Sequence, residues 1–558
     1  MPIIKEEESN KLQSIKRGLL RHFPLVRKIW WWGHVKLPQQ VPTPSLYPYH
    51  RDPERDQRKN EETNLPPEED ASVLAIWATE SYGPAEIEVL YAGLEALSWD
   101  QNRLHNDHSG CVDWIKRQRQ VGTEGTFNLN IVQRIGESKY IPHDFFAELP
   151  PGVEYLIVKI HQVCPSLTCL QIVFVLDQAQ QRAYAEQLQL DRTTIHEPIK
   201  GRFGSYRILD PWHLKQRAIE SQRKEFQTLA TLWFQRHFPG VFCATPSASL
   251  PTAELITTRH AILFEDTKRA SSSLNSWSRL VASCQPYSAW KSTEQHSFMF
   301  AAQDATNEDL SHIVITLPAD EIAEDAVKHY GGRGHAAFVA FVQSRLDGIL
   351  VRFAVIALLN SFRRTLMQTR DKLRTASPSK RSVLKSLDYI QNFFSASLQV
   401  PSIVGEIEGV TKDTRSYKWA CDGFVEAIPF RDESPASLYE RLSAHTNSLA
   451  NRLLQDDRTT RDVFKQLSEV VTARESVKAQ RRMELLTVVT VAFAALSLWI
   501  ALPPIKEWRA KLPEWILQNL DTTEHMHQVK LPAATRSSKS AEAMAAKEIF
   551  KHSVNETS

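Results

Sequence analysis

The chain has 558 residues, of which 42% are hydrophobic and 24% charged, a globular composition with room for two to four domains and a large core. A formal net charge of +2 gives no global basis for binding nucleic acid, and none is expected. The six cysteines (Cys111, Cys164, Cys169, Cys243, Cys284 and Cys421) are too thinly spread for a disulfide framework and read as reduced thiols.

Residues 1–37 form a basic, Trp-rich segment. Leu12, Ile15, Leu19, Leu20 and Phe23 fall near helical spacing among Lys11, Lys16, Arg17, Arg21, Arg27 and Lys28, and Trp30, Trp31 and Trp32 follow. Two readings stand: an interfacial helix on anionic lipid, or a terminal helix docked on its own domain. Glu6, Glu7 and Glu8 open the chain with no apolar signal-type run behind them, so the large N-terminal region is expected in the cytoplasm. Residues 38–72 are rich in Pro and charge and predict an exposed linker.

Residues 73–318 have the texture of an α+β domain. Strands are expected at 73–78, 154–161, 168–176, 261–264, 298–301 and 312–317, and helices at 84–97 and 210–238. The run at 168–176 is apolar enough for a central strand. Pro211 suits the first turn of the second helix. His105, Asp107, His108 and Cys111 are of metal-ligating types, but no paired CxxC or HxxxH accompanies them, and a polar loop is the better explanation. Cys164 and Cys169 straddle a strand–strand turn and read as small core residues.

From residue 319 strand signals nearly vanish, and 319–435 predicts a helical domain. Gly331, Gly332, Arg333 and Gly334 stand before a helix expected at 336–373. Glycine amides at a helix start can hold an anion, but a helix–helix turn accounts for the same residues. The middle of 336–373 (ILVRFAVIALL) is very apolar, yet Arg345, Asp347 and Arg352 interrupt it, which favours a buried core helix over a membrane span. Another helix is expected at 381–394.

Residues 436–482 predict a long stalk helix. Leu442, Leu449, Leu453, Val463, Leu467 and Val470 fall on a three–four spacing interrupted by Thr446, Asp456, Thr460 and Arg474, an imperfect coiled-coil seam through which the chain is expected to self-associate. Packing on the chain's own helices is the competing outlet for that stripe. A transmembrane helix follows at 483–505: residues 485–502 carry no charge and are about 18 in number, the lower limit for crossing a bilayer. Trp499, Trp508 and Trp515 flank it. Arg474, Lys478, Arg481 and Arg482 precede the run and Lys506, Arg509 and Lys511 follow it, a small basic excess on the N-terminal side that agrees with a cytoplasmic N-terminal region. Residues 506–558 read as an interfacial segment and a disordered tail. The expected fold class is therefore an α+β cytosolic domain, a long helical stalk and one C-terminal transmembrane helix, placing the protein in a membrane as a single-pass chain.

No Walker loop, nucleophile elbow, HExxH or dinucleotide fingerprint is present, so no catalytic residue is assigned and no cofactor is named. The segment 483–499 (MELLTVVTVAFAALSLW) resembles the first transmembrane helix of CorA-like metal-ion transporters, with Leu486, Thr487, Thr490, Phe493 and Ser497 in the places where that family has its Leu-Thr, second Thr, Phe and further hydroxyl. The family's Gly-Met-Asn signature does not follow; Pro503, Pro504 and Ile505 stand there, without a second span. The resemblance implies a cytosolic sensor on an oligomeric stalk and makes Glu484, Thr487, Thr490 and Ser497 candidate pore-lining residues. The leading expectation is a membrane-anchored, non-enzymatic sensor or effector whose cytosolic domain binds a ligand or partner. The alternatives are a membrane-tethered enzyme with an unrecognised site in 73–318, and a membrane scaffold.

Overall fold

The apolar runs at 71–82 and 167–176 set the architecture. The structure, a computed structural model, describes Ile29 and residues 53–100, 110–137, 145–198, 206–245, 249–264, 276–282, 289–302, 312–332, 334–375, 399–412, 414–428 and 434–501. In chain order, α1 (Pro53–Thr63) leads to β1 (Ala71–Tyr82), and α2 (Ile87–Ala96) and α3 (Cys111–Val121) precede β2 (Gly125–Arg134), β3 (Phe145–Ala147), β4 (Val153–Cys164) and β5 (Leu167–Leu176). Next come α4 (Gln178–Gln181), α5 (Ala183–Gln189), β6 (Ile195–Pro198), β7 (Tyr206–Leu209), α6 (Pro211–His237), α7 (Val241–Ala244), β8 (Thr252–Thr258), α8 (Ser276–Ala282), β9 (Ala289–Ser292), β10 (Met299–Ala302) and β11 (His312–Pro318). The chain then turns helical, with α9 (Ala319–Tyr330), α10 (His335–Thr375), α11 (Gln399–Lys412) and α12 (Thr414–Cys421), a short β12 (Phe424–Glu426) and the long α13 (Leu438–Ala501).

The fold is mixed α+β, as the residue pattern predicts. Ten strands form one sheet in the order β12-β9-β10-β11-β8-β1-β5-β4-β2-β3. Its neighbours are antiparallel except β8–β11 and β2–β3, which are parallel. β6 and β7 pair separately. Every residue of β1 and β5 is buried, so both faces of the sheet centre are covered.

Strand alternation sorts the two faces. On one face Phe174 packs against Trp233 and Phe234 of α6, and the Tyr82 hydroxyl donates to the Phe238 carbonyl. Glu80 shares that face and accepts from the amides of Phe242 and Cys243 in α7. Trp77, Gln171 and Lys159 point the other way, where α10 lies against β1 and β5. The result is a helix–sheet–helix sandwich. Asp210 caps α6 by accepting from the His213 amide at 3.0 Å, with Pro211 in the first turn. Towards β8 and β11, α6 is fixed by Arg223, whose guanidinium donates to Glu254 while Glu254 also accepts from the Tyr184 hydroxyl. Both members of that ion pair are almost fully buried, at 1% and 0% side-chain exposure.

Several expectations differ from the structure. Residues 53–63 belong to the expected linker, yet they form α1, with Asp56, Asn60 and Thr63 buried. This helix is held by polar contacts: Asp56 accepts from the Thr194 amide and hydroxyl, and Asn60 exchanges two hydrogen bonds with the backbone of Arg192. Hydrophobic patterning carries no trace of such contacts. Residues 261–264 are turn, because the strand of that region is β8, just upstream. Residues 319–435 are not set apart as a helical domain: α10 packs on β1 and β5, and β12 pairs with β9. The expected helix at 381–394 and the segments 506–558 and 1–37, Ile29 apart, lie outside the described residues.

The chain divides after Lys465 into two compact units. Within the first, Leu442, Leu449 and Leu453 of α13 are 5%, 5% and 1% exposed and join the unit's own core. Those three seam residues thus take the competing outlet, and a coiled-coil stalk is not seen. In the second unit the described residues are the remaining turns of α13. Ser476–Ile500 there is 25 residues long with mean hydropathy 2.0 and no buried residue, long and apolar enough to cross a membrane.

The docking of α13 has a measurable consequence. Leu453→Ala should lower the unfolding free energy of the first unit by about 2–5 kcal/mol. Val463→Ala, at a position 45% exposed, should cost under about 1 kcal/mol. Thermal unfolding of the full chain in detergent separates the two, and equal small effects would sink this account of α13.

Candidate functional site

The sheet face under α10 carries the chemistry. Lys159 and His161 are alternate residues of β4 and therefore share one face. Above them, α10 brings Asp347 onto Lys159 as an ion pair with side-chain exposures of 10% and 18%. Five residues further along α10, Arg352 donates to the Gly348 carbonyl at 3.1 Å and to Glu124 at 3.4 Å. Its guanidinium carbon lies 4.9 Å from the centroid of the Tyr417 ring on α12. The Tyr417 hydroxyl is 3.2 Å from Thr446 Oγ1 on α13. Arg345, at the outer end, pairs with Glu294.

These groups line a cleft of about 940 Å³ within the first unit. Glu124, Thr126, Lys159 and His161 line it from the sheet, Ser344 to Val355 from α10, and Thr411 from α11. Tyr417 and Trp419 contribute from α12, and Ser437 and Thr446 from the start of α13. Trp419 is 86% exposed. A second groove of about 680 Å³ runs between Glu148–Pro151 and the outer side of α6, lined by Leu229, Leu232 and Trp233. It gathers no buried titratable groups, which makes the cleft the stronger candidate.

Burial shapes the protonation of the cleft. It pushes the Asp347 carboxyl up to about 6, against the opposing pull of Lys159. It drives His161 down to about 3, helped by the nearby charges of Lys159 and Arg352, so the ring is neutral near pH 7. His161 Nδ1 is 3.2 Å from the Thr126 hydroxyl. Its Nε2 faces Gln171, and Asp347 Oδ1 faces Trp77, without hydrogen-bond geometry in either case. Tyr417 is raised by burial and remains a neutral phenol.

The residues singled out from sequence lie elsewhere. His105, Asp107 and His108 are outside the described residues. Cys111 opens α3, its thiol pushed up by burial and Asp100 and donating to the Trp99 carbonyl. Among the described residues no three His, Cys, Asp or Glu side chains come together as metal ligands. Gly331 ends α9 with a φ of 73°, its amide bonded to the Val327 carbonyl, and the Gly334 carbonyl accepts from the Ala337 and Phe338 amides. Gly331, Gly332 and Gly334 thus act as a helix–helix turn; Arg333 lies outside the described residues. Thr487, Thr490 and Ser497 each donate to the carbonyl four residues back, at 2.8, 2.7 and 2.8 Å. Glu484 accepts from Gln480 at 3.4 Å.

Sequence reasoning did not select Glu124, Lys159, His161, Asp347, Arg352 or Tyr417 as a site. The available signal was the set of charges within the apolar middle of α10, together with Lys159 and His161 within an apolar strand. The chain matches no protein-family description, and comparison with curated proteins and with solved structures finds no match.

His161 gives the site a pH signature. Below its ordinary pKa of 6.5 the unfolded chain takes up a proton that the folded chain refuses until about 3. Its contribution to stability is complete above that ordinary value and is lost on acidification. His161→Asn, which keeps a polar atom near Nδ1, should therefore lose about 3 kcal/mol less stability than the parent chain between about pH 7 and pH 4. Equal pH slopes in denaturant titrations of the two proteins would contradict a buried neutral ring.

Proposed function

We propose that the protein is a membrane-anchored, non-enzymatic sensor: the cleft binds a small polar ligand, and α13 carries the effect of occupancy towards the membrane. One observation carries this reading. Arg352 stacks on Tyr417, Tyr417 reaches Thr446, and Thr446 lies on the helix that continues to Ala501. A ligand engaging Arg352 therefore acts two contacts from α13, in a chain of packed side chains of the kind that transmits coupling. The resemblance of 483–499 to the first span of CorA-like transporters supports the same layout of cytosolic unit, helix and span. Ion conduction has less support, because the hydroxyls of Thr487, Thr490 and Ser497 are already spent on their own helix. Self-association through the more distal seam residues, and a cytoplasmic place for the first unit, belong to the same proposal. A membrane-tethered enzyme is the second reading, favoured by one feature: a carboxyl near 6 beside a lysine is suited to moving a proton.

Two measurements test the proposal. Small molecules released by denaturing the purified full-length protein should include a species that is depleted in Arg352→Ala, as read by mass spectrometry. Identical profiles would remove the ligand-binding role. Membranes washed with alkaline carbonate should retain the full chain and release a chain ending at Lys465; retention of both would remove the anchor.

A further inference from the structure

We infer that Arg481 and Arg482 form a binding site for an anionic phospholipid, holding its phosphate at the membrane surface while its acyl chains lie along the apolar turns that follow. This inference rests on the reading of Ser476–Ile500 as a membrane span and is independent of the cleft.

The uncharged residues 485–501 of α13 make about 25 Å of helix, and a bilayer's hydrocarbon core is about 30 Å thick. The apolar run leaves no slack, so the residues just before Leu485 stand at the level of the headgroups. Long arginine side chains reach outwards from there to the phosphates. Arg481 and Arg482 are both exposed, and neither has a hydrogen bond or ion pair among the described residues. Glu484, the nearest carboxylate in sequence, accepts from Gln480 at 3.4 Å instead. Lys478 has an interaction of its own and is left out of the site. Two guanidiniums against one carboxylate leave this border of the span positive.

The site has a headgroup part and a chain part. On a helix, positions i, i+4 and i+7 share a face. Arg482, Leu486 and Val489 are therefore in line, as are Arg481, Leu485 and Val488. The four apolar residues are exposed, from 43% to 67%. A free phosphate uses only the guanidiniums, whereas a phospholipid uses both parts, which makes lipid the better occupant. The planar guanidinium fork matches a phosphate with two parallel hydrogen bonds, and an ammonium does not. Headgroup charge then selects among lipids. A phosphatidylcholine brings its own cation to its phosphate. An anionic lipid does not, and its charge is left for the arginines.

Native mass spectrometry of the full-length protein in detergent tests this, with phosphatidylglycerol and phosphatidylcholine of the same acyl chains offered in equal amounts. Phosphatidylglycerol should be retained over phosphatidylcholine by about tenfold or more. Arg481→Gln and Arg482→Gln in one chain should bring that preference close to parity, and Arg481→Lys with Arg482→Lys should keep only part of it. Both pairs of substitutions lie outside the first unit. Its melting temperature should therefore be unchanged, so that a lost preference reports the site. Equal retention of the two lipids by the parent chain, or an unchanged preference in the glutamine variant, would overturn the site. An unchanged preference in the lysine variant would overturn the guanidinium pairing. Inorganic phosphate that displaces phosphatidylglycerol at the same concentration would give the arginines to a free anion. A dimer seen by light scattering that disappears in the glutamine variant would give them to a second copy, and either result removes the lipid. The carbonate wash keeps the two readings apart. A chain retained in the membrane without lipid preference loses the site and keeps the anchor, and a full chain that is released loses both.

Discussion

The cleft depends on one conflict inside α10. Its middle turns are apolar enough to be drawn under the sheet, and Leu346, Ile349, Ile356 and Leu358 are fully buried there. Asp347 sits among them, its side chain only 10% exposed at the floor of the cleft. It is buried with them, and a buried carboxylate needs a partner. Lys159 supplies it from β4. That contact sets how α10 lies on the sheet. With Asp347 fixed, five further residues of helix place Arg352 at Tyr417 and Glu124, and the cleft takes shape around these residues.

Burial, more than that contact, sets the protonation pattern. Burial is the main reason the His161 ring stays neutral, and the nearby charges of Lys159 and Arg352 add to it. Asp347 is drawn towards ionisation by Lys159 and away from it by burial, and burial dominates.

Legibility from sequence follows the physics of each element. β1, β5 and α6 were readable because hydrophobic period and capping residues specify them locally: Asp210 and Pro211 announce α6, and ten consecutive buried residues form β5. α1 was not readable, since its buried Asp56 and Asn60 are held by partners more than a hundred residues away. The site failed for a related reason. Arg345, Asp347 and Arg352 were visible as interruptions of an apolar run, but their partners Glu294, Lys159 and Glu124 come from other parts of the chain. A charge inside an apolar helix reports that a partner exists without saying where. The seam of α13 failed differently. A stripe of period three to four is the same whether the helix meets a second copy or a groove of its own domain, and Leu442, Leu449 and Leu453 take the groove.

Beyond Lys465 the helix meets a different constraint. A hydroxyl in hydrocarbon must find an acceptor, and Thr487, Thr490 and Ser497 find theirs within the helix, at the carbonyl one turn back. Each of the three can then face lipid without stranding a donor. A segment so satisfied needs no neighbouring helix to accept from its hydroxyls. The polar demands of this chain are met in two ways: locally in the apolar segment, where a residue answers to its own helix, and at long range in the cleft, where Asp347 and Arg352 answer to partners across the fold.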